Sequence, residues 1–128
     1  MNFPSDLKYT KTHEWVRREG DEVTVGISDY AQKEISDVVF VELPKVGRQG
    51  QAGKPLAVVE SVKAAFDIYA PVNGCVTKVN PSLEGDPGLV NQDCYGKGWF
   101  YSLKLENPAE WDALMNKEDY EKSLKTEV

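Results

Sequence analysis

The chain has 128 residues, a formal net charge of −6 and a single histidine. Its hydrophobic and charged fractions, 41% and 28%, are those of a soluble globular protein with a real core, and no apolar run is long enough to cross a membrane. The acidic balance argues against a nucleic-acid surface; His13, Cys75 and Cys94 make no metal set, no disulfide framework and no nucleophile pair at a recognisable spacing.

In chain order, Met1 to Asp6 lacks the basic and apolar regions of a secretory leader and the arginines of a transit peptide. Leu7 to Tyr9, His13 to Arg17 and Val23 to Ile27 read as strands, with a turn at Glu19 to Glu22. His13 reads as a surface or strand-edge residue. Ser28 is a good helix N-cap and Asp29 suits the positive end of a helix dipole, so a short helix is predicted near 29–35. Val38 to Leu43 has apolar residues on both faces, the pattern of a central strand, and Pro44 ends it.

Lys45 to Lys54, with Gly47, Gly50 and Gly53, reads as turns around a short strand; it lacks the ending of a phosphate-cradling loop. Cys75 to Val79 is a further strand, with Cys75 expected to be buried. Asn80 to Gly88 is a loop with room for one helical turn, Leu89 to Asn91 a brief pairing segment, and Gly98 to Leu105 a strand. Asn107 caps a helix with Pro108 at its first position, and Trp111, Leu114 and Met115 mark its buried face. A second short helix spans Glu118 to Leu124, with fraying expected from Lys125 to Val128. The C-terminal helical segment thus covers about 108–124. Short strands separated by turns indicate an antiparallel β architecture within one domain, residues 1–128.

The remaining stretch, Leu56 to Ala70, organises the others. Leu56 and Val58 alternate in its first half, and Phe66, Ile68 and Ala70 in its second, which is the period of two of half-buried strands. The geometry is a hairpin over 56–70 with its tip near Val62-Lys63-Ala64. The tip has no Asn-Gly or Asp-Gly, so ordinary hairpin chemistry does not account for it. Lys63 is the only charged residue between Glu60 and Asp67. A lysine among small residues at a tight tip is either simply solvated or placed for an enzyme to acylate.

Glu60-Ser61-Val62-Lys63-Ala64-Ala65 resembles the lipoyl-attachment motif of the glycine cleavage system H proteins. The resemblance extends to Lys8-Tyr9-Thr10, His13 to Val16, Val25 to Gln32, Val39 to Pro44, Val58 to Ala65, and Asn91 with Tyr95-Gly96 and Gly98-Trp99, in the family's order. The chain departs from the family at Arg48-Gln49-Gly50, where an acidic and an apolar residue are usual, and at Cys94, where proline is common. Cys94 is either a reactive thiol or a substitution without function. A biotinyl motif has methionine on both sides of its lysine; here Val62 and Ala64 flank it.

The resemblance implies a mainly β fold, the lipoyl/biotinyl-type flattened hybrid barrel of two antiparallel sheets, with a short helix near 29–35 and C-terminal helices. It implies lipoic acid on Lys63 as N6-lipoyllysine, with Glu60, Ser61, Val62 and Ala64 forming the motif around it. The implied activity is non-catalytic: the carrier shuttles the aminomethyl group of glycine from glycine decarboxylase to aminomethyltransferase and is reoxidised by dihydrolipoyl dehydrogenase. A lipoate-attaching enzyme is the fourth partner, and the expected protein is a monomer, cytoplasmic in a bacterial setting and mitochondrial in a eukaryotic one. Glu14 either contacts the loaded arm or is a solvated strand residue. Glu60 and Asp67 either guide the attaching enzyme or keep the hairpin soluble. Two alternatives share the sequence: a lipoyl relay protein donating the group to other lipoyl domains, and an unmodified β-domain adaptor.

Overall fold

The computed structural model describes residues 1–126. The elements run β1 (Lys8–Tyr9), β2 (Glu14–Glu19), β3 (Glu22–Ile27), α1 (Asp29–Ile35), β4 (Val38–Glu42), β5 (Gln49–Gly50), β6 (Pro55–Ser61), β7 (Ala65–Tyr69) and β8 (Gly74–Val79). They continue with α2 (Ser82–Gly85), α3 (Leu89–Gln92), β9 (Tyr101–Lys104), α4 (Pro108–Asp112) and α5 (Lys117–Thr126). Six strands form one sheet in the order β1-β2-β3-β9-β8-β5, and three form another in the order β4-β6-β7. Every ladder is antiparallel, and neither sheet closes on itself.

Apolar side chains from both sheets meet in one core: Val16, Val23, Val25, Leu103 and Val76 from the larger, and Val41, Leu56, Ala57, Val59 and Ile68 from the smaller. The larger sheet is also covered on its far face, where Phe3, Leu7, Tyr9, Trp15 and Tyr120 make a second cluster. Tyr9 and Tyr120 stack there, with ring centroids 4.7 Å apart and planes at 6°. Double coverage is why Glu14, Trp15 and Val16 are buried in succession instead of alternating. Ser28 caps α1 by accepting from the Ala31 N–H, and Asn107 caps α4 by accepting from Ala109, as the sequence predicts.

Several expectations change. β4 is an edge strand, not a central one, and Val39 and Phe40 are 55% and 51% exposed. A bulge between Val38 and Phe40 displaces Val39 from the ladder, and no strand pairs beyond β4, so apolar residues on both faces did not mean two covered faces. A second bulge, between Pro55 and Ala57, shifts the alternation of β6: Leu56, Ala57 and Val59 are buried and Val58 is half-buried. Leu89 to Asn91 is a helical turn rather than a pairing segment, closed by the Asp93 N–H to Leu89 O bond at 2.9 Å.

At the C-terminal end, Gly98 and Trp99 belong to a loop, so β9 is shorter than predicted. α4 ends at Asp112, and Met115 instead bridges to Tyr9 in extended pairing, so the Trp111, Leu114 and Met115 face is half-buried and shared between two clusters. Lys125 and Thr126 continue α5; Glu127 and Val128 lie outside the described residues. Cys75 is half-buried, not buried. Among the described residues no helix is long and apolar enough to cross a membrane, and no group of His, Cys, Asp or Glu can hold a metal ion.

Trp15 depends on the glycine opposite it. Its register partner is Gly26, and a Cβ there would lie 2.6 Å from the indole ring. The indole N–H donates to Cys94 O at 2.8 Å, so the ring has little freedom to move aside. Gly26→Ala is expected to destabilise the protein by about 1–3 kcal/mol, the usual cost of overpacking a filled site, read as a lower midpoint in denaturant unfolding at unchanged slope.

Candidate functional site

The hairpin β6–β7 carries Lys63 at its tip. Pairing ends at Glu60 with Ala65, and Ser61 closes the turn: its N–H donates to Ala64 O at 2.9 Å. The Ser61 hydroxyl accepts from the Lys63 N–H at 3.1 Å and from the Ala64 N–H at 3.3 Å. That serine does the work expected of Asn-Gly, by offering the orphan amides of the tip a side-chain acceptor. Among the described non-glycine residues only His13 and Ser36 have positive φ, so the tip needs no glycine. Val62 and Lys63 are exposed, and the Val62 N–H donates to Asp37 O at 3.0 Å, tying the tip to the chain after α1. Lys63 Nζ donates to Glu34 O at 3.0 Å, one of the carbonyls left open at the C-terminal end of α1.

Two grooves follow β7 away from that contact. The nearer, about 270 Å³, is lined by apolar Tyr30, Ile35, Val59, Phe66 and Ile68, with Glu34 at the lysine end. The farther, about 530 Å³, is lined by Tyr9, Thr10, Glu14, Tyr69, Ala70 and Met115 among others. Thr12 lines both, and successive residues along β7 and one beyond it, Phe66 to Ala70, form a wall first of one and then of the other. Four steps along an extended strand cover about 13 Å.

Glu14 forms part of the wall of the larger groove. It alternates with Val16, so its side chain leaves β2 on the face that meets the smaller sheet, and it is only 1% exposed. Its two oxygens accept from the hydroxyls of Thr10 and Thr12, at 2.5 Å each, and from the Tyr69 N–H at 3.3 Å. Burial pushes the carboxyl above the ordinary glutamate range, while the three hydrogen bonds work against that by favouring the carboxylate. Glu14 is therefore not a solvated strand residue. A buried carboxylate with only neutral donors beside an open groove favours a cationic group placed in that groove.

The other sequence candidates sit nearby with different exposures. Glu60 is exposed, on the face of β6 away from the core, and Asp67 is exposed at the rim of the nearer groove. His13 is half-buried rather than superficial, its ring 4.9 Å from that of Tyr30 and its Nδ1 2.9 Å from the Tyr120 hydroxyl. Cys94 is buried, and burial with the charges of Asp29 and Asp93 pushes its thiol up to about 12, so it is not a reactive thiol. Thr10 and Thr12 were not anticipated. Their signal was local: hydroxyls four and two residues before an acid, in a tight turn where the His13 N–H donates to Thr10 O.

The sequence profile of the glycine cleavage H-protein family matches residues 7–127. A glycine cleavage system H protein of Acinetobacter baumannii is 55% identical over 124 residues, covering 97% of this chain and all of that one. One from Thermus thermophilus is 54% identical over 128 residues, the full length of both. The crystal structure of a glycine cleavage system H protein from Mycobacterium marinum superposes with a TM-score of 0.87 at 34% identity, covering 96% of this chain and 99% of the other. With that profile, those relatives and that fold, the chain belongs to the glycine cleavage H-protein family, the non-catalytic carrier component of the glycine cleavage system.

Proposed function

We propose that Lys63 carries lipoic acid in amide linkage and that the chain moves the aminomethyl group of glycine between separate enzymes. The observation that carries this reading is the single path from an exposed lysine, along the two grooves beside β7, to a buried carboxylate. The residues fit the group: Ile35, Val59, Phe66 and Ile68 suit an aliphatic arm, and Glu14 suits the protonated amine of its cargo. Bound to Lys63, the group supplies a dithiol that can be oxidised, reduced and loaded through sulfur.

The chain's own residues hold, position and shield. Ser61 keeps the tip rigid, so the lysine amine stays accessible to a lipoate-attaching enzyme. Amide formation removes the lysine charge, and with it the attraction to the Glu34 carbonyl, which frees the side chain for reach. Tethering raises the local concentration of the arm at each docked active site. Glu14 then holds the cargo amine away from water, with Thr10, Thr12 and the Tyr69 N–H fixing the carboxylate. A protein that only relayed lipoyl groups would have no cationic cargo to match, so Glu14 favours the aminomethyl carrier. In this reading glycine decarboxylase loads the arm, aminomethyltransferase unloads it and dihydrolipoyl dehydrogenase reoxidises it. The carrier unit is the chain 1–128, acting as a monomer in the cytoplasm. Glu60 and Asp67 face solvent on either side of the tip, where the attaching enzyme must make contact.

Four measurements test this. Peptide mapping of protein from lipoate-competent cells should find the lipoyl mass on the Lys63 peptide; finding it on Lys54 or Lys78 would sink the assignment. Lys63→Arg should lose that mass and all carrier activity, while unfolding shifts by no more than about 0.5 kcal/mol, as for an exposed site. Glu14→Gln should still be lipoylated but release ammonia roughly tenfold faster from loaded protein without the transferase, the scale of one charge-assisted hydrogen bond. Equal release rates would remove Glu14 from the mechanism. The isolated lipoylated chain should not decarboxylate glycine, and turnover should appear only on adding the decarboxylase, transferase and dehydrogenase.

A further inference from the structure

The tip of the hairpin is held by a device outside the hairpin. Between α1 and β4 the chain passes through Ser36 at φ 70° and ψ −155°, a backbone region that side-chain-bearing residues rarely occupy. The conformation turns Asp37 so that its carbonyl accepts from the Val62 N–H at 3.0 Å. One side chain brackets this residue from across the fold. Asn91, on α3, donates from Nδ2 to Ser36 O at 2.8 Å and accepts at Oδ1 from the Val38 N–H at 2.9 Å. Its amide also reaches the Gln32 side-chain oxygen at 3.2 Å. Donor and acceptor sides are fixed by these partners, since a carbonyl cannot donate and an N–H cannot accept.

We propose that Asn91 is the positioning residue for Lys63: it holds Ser36 in a strained backbone state, and that state supplies the carbonyl that fixes the tip. The anchor is firm, because Val90 beside Asn91 is fully buried in the core. Asn91 lines neither groove; it acts through its short bonds to the Ser36 to Val38 backbone, with longer ones to Gln32 on α1. Without it, Ser36 relaxes toward negative φ and the Asp37 carbonyl turns away. The Val62 N–H then loses its partner, and the height and direction of the lysine are no longer fixed. The Glu34 carbonyl contact of Nζ, on the last turn of α1, goes with it.

The proposal rests on Lys63 being the acylated residue, and the experiment separates the two. The variants are Asn91→Ala, Ser36→Gly and the double variant. Glycine takes the Ser36 conformation without strain, so it restores the backbone path without restoring the side chain. For Asn91→Ala, Val62 amide exchange is expected to be about tenfold faster while core amides of β3 and β9 are unchanged, the pattern of local and not global opening. The kcat/KM for attachment of the lipoyl group by a lipoate-attaching enzyme should fall by a similar factor. The double variant should regain both. Overturning results are an unchanged Val62 amide in Asn91→Ala, a loss spread evenly over all amides, or no recovery with Ser36→Gly. If the unaltered chain is never acylated at Lys63, the carrier reading fails, while the exchange of Val62 still tests the positioning on its own.

Discussion

Everything functional in this molecule hangs on the pairing of β6 with β7. That ladder places Lys63 at the point where the chain reverses, and it makes β7 a shared wall of both grooves. It also brings the Tyr69 N–H against Glu14, which belongs to the other sheet. The exposed lysine, the grooves and the strand facing Glu14 thus share one hairpin, packed through Val59, Ala57 and Ile68 into the common core. Sheets that met less closely would separate the carboxylate from the strand that leads to it. Val59 is the fully buried apolar residue of the hairpin nearest the tip.

Much of this was legible in the residues, for reasons that differ by element. Ser28 and Asn107 announce helices because capping is a local hydrogen bond, and local bonds leave a local signature. The hairpin was legible from its period of two, and its tip from the short non-alternating stretch around Lys63. The misreadings of β4 and Glu14 share one cause: they needed knowledge of what lies across the fold. Val38 to Leu43 reads as central because both faces are apolar, yet β4 lies at a sheet edge and Phe40 meets solvent. Glu14 reads equally well as surface, because an alternation pattern does not tell that a second sheet closes over it. Asn91 appears only as one residue of a matching block; its bonds to Ser36 and Val38 span 55 and 53 positions of sequence.

Burying Glu14 costs stability, since a carboxylate loses hydration and gains only neutral donors in return. The folded chain holds a proton on it more tightly than the unfolded chain does. The sign follows from that direction: the contribution of Glu14 to stability is most favourable at low pH and declines as pH rises from the ordinary glutamate range through its raised value. A positive group placed in the adjoining groove would relieve that cost. Locally suboptimal groups of this kind belong to function and not to folding.

Cys94 bears on a different hazard. A carrier whose arm ends in sulfur is open to thiol–disulfide exchange with any thiolate it can touch, and a mixed disulfide with its own chain would take it out of circulation. Attack requires the thiolate, and a thiol pushed up to about 12 is ionised to only roughly one part in 10⁵ at neutral pH. Its backbone carbonyl is also engaged by the fully buried Trp15 indole, which ties the residue to the fold. The chain can keep a cysteine near its N-terminal cluster without that cysteine competing for the redox chemistry of the arm.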